Sequence, residues 1–320
     1  NLLVASVVNG GSIESASGDP IFADVDTLIV NNSGSIQSSD TSGDLLGVSA
    51  TVSDVVLVNN ADASIGMSSF KLTGNGSSSA SFTNNGEMAA LDIEGTGAGA
   101  EAAVINSGRM AGEVLVDGAA TAASDFAQAL HLRALSVASL QNSGTISAVV
   151  PAEMTNPGEL GVGVTVDDVS TVSIDNSATG EITGSSRAIA ISNVENATVS
   201  NQGSLSIADM TTATSGAAIE MQGMLDAQSN EPISSFLLTN TGTVDGKSFL
   251  AVDLEGLASA SISNSGSLLR EGGFVAQVSD TDRVNLTNSG QAVSAITDPA
   301  STRFGVDLAG RNVLLTNTPD

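Results

Sequence analysis

Residues 261–269 read SISNSGSLL, two alternations of apolar and small polar residues joined through Asn264-Ser265-Gly266. Nearly the same phrase precedes it as LTNTGTV at 238–244 and follows it as LTNSGQAV at 286–293. Alternation of period two belongs to a strand with one buried face. Asn and Gly between two such runs mark a turn. A turn that returns at a fixed spacing implies one structural unit copied along the chain.

Aligned on this phrase, the chain shows twelve anchors: Asn9, Asn32, Asn60, Asn85, Asn106, Asn142, Asn176, Asn201, Asn240, Asn264, Asn288 and Asn317. Their closest spacings are about two dozen residues, a solenoid period. A second alternation stands upstream of most anchors, as in FKLTG (70–74), LDIEG (91–95), AVDLEG (251–256) and GVDLAG (305–310). Each unit therefore offers about three short strands. The expected fold is all-β, a right-handed parallel β-helix of about twelve three-strand coils, on the order of 60 Å long.

In that fold the apolar positions form inward columns, and Asn32, Asn85, Asn106, Asn142, Asn201, Asn240, Asn264 and Asn288 stack as a corner ladder. The partnering glycines are Gly34, Gly86, Gly108, Gly144, Gly203, Gly242, Gly266 and Gly290, expected to turn the chain with φ above zero. A leucine-rich repeat would need denser leucine, and a sandwich array would space its anchors at domain scale. The whole chain, 1–320, reads as one solenoid, with insertions at 112–129, 147–161 and 224–235 where the anchor interval lengthens. Solenoid insertions emerge as flank loops, which either carry recognition or reflect drift in a tolerant scaffold.

Composition fits. Hydrophobic residues make up 41% of the chain but aromatics only 2%, with no Trp or Tyr, so the core is built from Val, Ile, Leu and Ala. The formal charge is −26, from 35 acidic and 9 basic residues. Such a surface disfavours nucleic acid and anionic lipid. Without cysteine, disulfides and thiolate metal sites are excluded. No apolar run is long enough to span a bilayer as a helix. The opening NLLVASVV has no basic stretch before it, unlike a signal peptide, and Asn1 in place of Met is expected of a processed or excerpted segment.

Chemistry is sparse. The single histidine, His131 in ALHLRAL, has outward parity, and no nucleophile motif surrounds it. GTGAGA (95–100) lacks the strand–helix context of a dinucleotide site. The arginines at 109, 133, 187, 270, 283, 303 and 311 are dispersed, without aromatic platforms for sugar. A β-helix polysaccharide lyase or hydrolase is the alternative reading. The acid pairs Asp24/Asp26, Asp167/Asp168 and Asp280/Asp282 fall between strands. If equivalent corners stack, calcium is the ion these oxygens would take; otherwise they are solvated turn acids. No cofactor is required.

The blocks NSGTI (142–146), NSGSI (32–36) and NTGTV (240–244), flanked by alternating aliphatics, resemble the passenger regions of bacterial autotransporters and related secreted β-helix adhesins. The resemblance covers nearly the whole chain. It implies a β-helix in an extracellular or bacterial cell-surface setting, while activity varies widely among such passengers. The membrane barrel that ends an autotransporter, with its aromatic girdles, has no counterpart in this sequence. The repeat runs to both termini without an amphipathic cap, which is expected either of a cut segment or of subunits joined head to tail by strand pairing. The expected function is non-enzymatic: a surface rod, adhesive stalk or matrix filament. Its partner would be another copy of itself or a cell-surface or matrix ligand.

Overall fold

The computed structural model describes residues 3–16, 18–38, 46–74, 77–97, 99–112, 128–148, 161–208, 216–226, 228–271, 274–295 and 305–318. Described residues in regular structure are strands, and the fold is a parallel β-helix. Each coil begins with a lead strand such as Ala217–Gln222, turns into an anchor strand such as Ser235–Asn240, and passes through the Asn corner. It then continues as a short strand such as Thr243–Asp245. Equivalent strands pair in parallel, so the chain builds three faces. The strands Phe274–Asn288 and Gly305–Asn317 run unbroken round the lead-to-anchor corner, which joins those two faces into one 21-stranded network beside the 11-stranded short sheet.

The period-two pattern decides which residues fill the interior. The short sheet stacks Ile36, Ile65, Met88, Met110, Ile146, Ile182, Leu205, Val244 and Leu268 in register, each 3% exposed or less. Similar columns on the lead and anchor faces complete a single buried cluster. Phe70 and Phe82 meet across it, with ring centroids 4.8 Å apart at 60°. A core this narrow needs few aromatics. Aliphatic side chains one coil apart cover one another, at roughly 25 cal/mol per Å² removed from water.

At the Asn corner, each ladder amide donates from Nδ2 to the Oδ1 of the next ladder Asn. The series runs Asn9, Asn32, Asn59, Asn84, Asn106, Asn142, Asn176, Asn201, Asn240, Asn264, Asn288, Asn317. Every link is 2.6–3.0 Å. The same Nδ2 also faces backbone carbonyls, as Asn142 does Gly144 O at 3.1 Å.

Two anchors move by one residue relative to the sequence reading. Asn59 and Asn84, not Asn60 and Asn85, occupy the ladder; Asn85 is exposed. The cause is parity. In LVNN the buried Leu57 forces Asn59 inward, and in SFTNN the buried Phe82 does the same for Asn84. Asn60 instead donates to Asn31 Oδ1 at 2.7 Å outside the ladder.

The corner glycines are also corrected. None of Gly34, Gly86, Gly108, Gly144, Gly203, Gly242, Gly266 and Gly290 has positive φ. They are required by close approach: a Cβ on Gly144 would strike the Gly108 carbonyl, and one on Gly266 the Gly242 carbonyl. At the Asn corner Asp62 takes positive φ, but the recurrent positive φ falls at the other corner. Ala134, Asp168, Asn193, Gly256 and Asp280, each directly after the last lead position, have φ of 48–70°. Asp and Asn tolerate that conformation better than other residues with a Cβ.

The insertions are narrower than expected. Residues 128–129, 147–148 and 235 belong to strands, while 113–127 and 149–160 lie outside the described residues.

Asn84→Ala should lower local stability by roughly 2–3 kcal/mol, because Asn59 and Asn106 each lose a buried partner. Asn85→Ala should change it by under about 0.5 kcal/mol. Hydrogen exchange of the coils on either side measures both. Ala134→Gly should stabilise its corner by about 1 kcal/mol by removing a Cβ from a left-handed position.

Candidate functional site

The outward positions differ by face. Those of the anchor sheet mix small hydroxylated and exposed apolar residues: one register column runs Ile29, Val56, Ser81, Ala103, Ser139, Ser173, Thr198 and Leu237. The lead sheet carries the charge. Its outward columns run Ser69, Asp92, His131, Thr165, Ala190, Glu220, Asp253, Gln277 and, two residues on, Lys71, Glu94, Arg133, Asp167, Ser192, Gln222, Glu255, Ser279. Two clusters stand out.

In the first, Asp92 lies between His131 Nδ1 and Arg133 Nη2, each at 3.2 Å, and Arg133 also reaches Glu94 at 3.1 Å. Burial works to raise the Asp92 carboxyl, but hydrogen bonds and charge from His131 and Arg133 outweigh it and hold it below the usual range. His131 is thus an outward residue one coil from Asp92, with its Nδ1 3.2 Å from that carboxylate.

In the second, Arg187 Nε donates to Glu220 Oε2 at 2.7 Å. Asp253 stacks directly on Glu220, with Glu255 on its own strand. Burial first, then the charges of Glu220 and Glu255, push the Asp253 carboxyl up to about 6, against the opposing pull of Arg187. Directly opposed like charges on neighbouring strands are unfavourable, and a proton on Asp253 relieves them. A carboxyl that protonates near neutrality, beside an arginine, has the chemistry of a general acid. It stands here on an open sheet face. The groove of about 780 Å³ lies on the anchor sheet instead, lined by Ser259, Ser261, Arg283, Asn285 and Asn312 among others.

The three acid pairs occupy the lead-to-anchor corner of coils that are not neighbours. Asp24 stacks on Thr51, and Asp167 stacks on Arg133 and Ser192. Asp26 accepts from the Leu3 amide at 2.8 Å, and Asp167 from Ser192 Oγ at 2.6 Å. Asp168 and Asp280 hold the left-handed turn, and Asp282 pairs with Arg311 at 3.3 Å. The stacking that would gather these oxygens round one ion does not occur. Among the described residues no group of three or more His, Asp or Glu is placed to hold a metal.

Of the insertions, 224–235 is the one largely described. Its base is riveted by buried Ser234, whose hydroxyl donates to Val194 O at 2.6 Å and accepts from the Met224 amide at 2.7 Å. Asp226 caps its tip by accepting from the Ser229 amide and hydroxyl and then the Gln228 amide, which keeps that carboxyl below its ordinary range. Glu231 reaches Arg311 at 3.5 Å.

The sequence reading missed both lead-face clusters. The signal was present in aligned alternations: AIEMQ (218–222) over AVDLE (251–255) superimposes Glu220 and Asp253, and LDIEG over LHLRAL superimposes Asp92 and His131. No protein-family model matches the chain, and no curated protein or solved structure matches it either.

An acid whose pKa is raised by folding binds its proton more tightly in the native state. Its contribution is therefore greatest at low pH and is lost as pH rises from 3.8 through about 6. Asp253→Asn should flatten that slope and stabilise the protein above pH 6. The gain should be under about 1 kcal/mol, since the group is partly solvated. Thermal melts across this range measure the difference.

Proposed function

We propose that this chain is a non-enzymatic structural element: a stiff extracellular rod that serves a bacterial surface as a spacer, adhesive stalk or filament unit. One observation carries the reading. Twelve anchor strands stack in parallel with a continuous aliphatic interior and an Asn ladder from Asn9 to Asn317. Such an arrangement resists bending and presents few internal ends to proteases. The strongly acidic exterior keeps rods apart in solution, and the resemblance to autotransporter passengers supports the setting.

The partner named by this proposal is a further coil at the edge strands Val4–Asn9 or Gly305–Asn317, contributed by a second copy of the chain, or a surface ligand on the flank. An edge strand with unpaired N–H and C=O groups accepts another strand in register. Calcium is not needed for this.

The second reading, a polysaccharide lyase or hydrolase, rests on Asp253 with Glu220 and Arg187. The rod proposal predicts no depolymerisation of neutral or acidic polysaccharides by the purified chain, and Asp253→Asn changing stability alone. Release of reducing or unsaturated ends by the wild type, abolished by Asp253→Asn, would replace it. Negative-stain electron microscopy, with and without calcium, should show narrow rods or end-to-end filaments of constant width in both conditions. Compact particles would contradict the proposal.

A further inference from the structure

Asn-Gly dipeptides occur at 9–10, 75–76 and 85–86, the second outside the described residues. In this dipeptide the backbone nitrogen of the second residue most readily reaches the Asn side-chain carbonyl carbon, because glycine brings no Cβ to hinder it. Asn is thermolabile for this reason among others. The ladder phrase mostly avoids the pairing. Ser, Thr or Gln separates Asn from Gly at Asn32, Asn106, Asn142, Asn201, Asn240, Asn264 and Asn288.

The doublet Asn84-Asn85 breaks that protection. Asn84 takes the ladder position, so Asn85 stands exposed immediately before Gly86. Its Oδ1 accepts from Ser107 Oγ at 2.6 Å, which draws electron density from the side-chain carbonyl. At Gly108, Gly144, Gly242, Gly266 and Gly290 the corner N–H donates to a ladder-residue carbonyl of the preceding coil. Among the described residues the Gly86 N–H makes no such bond. Asn9-Gly10 is the internal contrast. Asn9 is 6% exposed, its Nδ2 donates to Asn32 Oδ1 at 2.8 Å, and its Oδ1 accepts from the Gly11 amide at 3.1 Å.

We propose that Asn85-Gly86 is a site of spontaneous deamidation and isoaspartate formation, and that the fold protects Asn9-Gly10 from the same reaction. The Gly86 amide nitrogen gives its proton to solvent base and attacks Cγ of Asn85, forming an N–C bond. The Cγ–Nδ2 bond breaks and the nitrogen leaves as ammonia, closing a succinimide ring. Water then adds to either ring carbonyl, yielding aspartate or isoaspartate. One water is consumed and one ammonia released, with no redox change. Isoaspartate lengthens the main chain by one methylene beside Gly86, where even a Cβ would collide with the Ala63 and Asn60 carbonyls. The product therefore displaces the corner from its stack and adds a negative charge to a chain already at −26.

The test incubates the intact folded chain in mildly alkaline buffer and follows aspartate and isoaspartate at both dipeptides by peptide mapping. A urea-unfolded sample runs in parallel. The expected result is severalfold faster conversion at Asn85 than at Asn9 in the folded chain, with the two rates converging when unfolded. Equal or slower conversion at Asn85 in the folded chain would overturn the proposal.

Discussion

The coil repeat is fixed by parallel strand hydrogen bonding at roughly 4.8 Å, and every other feature has to fit inside that interval. At the Asn corner the constraint is sharpest, because successive coils turn there one above the other. A glycine carbonyl fills the place a Cβ would take, and the Asn amide matches the interval because its donor and acceptor ends reach copies of itself on either side. Buried polar groups are costly unless paired. Here each interior ladder Asn pairs with both neighbours, so the polar column is as continuous as the aliphatic one. Losing a single member leaves two buried groups short of partners. That explains why the ladder persists through doublets, longer returns and altered turn residues.

The same constraint explains how much of the structure was legible in the sequence. Alternation and recurrence announce stacked strands, and the coil count follows from the anchors. Parity then decides which of two adjacent Asn residues turns inward. Leu57 and Phe82, by being buried, assign Asn59 and Asn84, and the Asn-x-Gly spacing of the other corners points to Asn84 as well. The role of glycine was harder to read. Close approach and positive φ both favour glycine, and only coordinates separate Gly144, excluded from bearing a Cβ by a neighbouring carbonyl, from Gly256, which has φ of 70°. The left-handed corner admits Ala134, Asp168, Asn193 and Asp280, so it leaves no single-residue signature.

Charge clusters were the least legible, because they form between coils. Asp92 and His131 are far apart in sequence, separated by a return of which 113–127 is not described, yet they face one another in register. Asp253 has its raised pKa because Glu220 lies one coil away. Neither is evident until the alternations are superimposed. The Asp pairs show the reverse: adjacent in sequence, they suggest a shared site, but the coils that hold them are not neighbours. In the rod we propose, the outer faces would serve solubility and spacing, and the interior would supply stiffness.

The account depends most on the ladder, so the most direct measurement is hydrogen exchange of Asn side-chain amides by NMR. It predicts slow exchange at the buried Asn59, Asn84, Asn106, Asn142, Asn176, Asn201, Asn240 and Asn264, and rapid exchange at exposed Asn85. Exchange at those ladder amides as rapid as at Asn85 would contradict it.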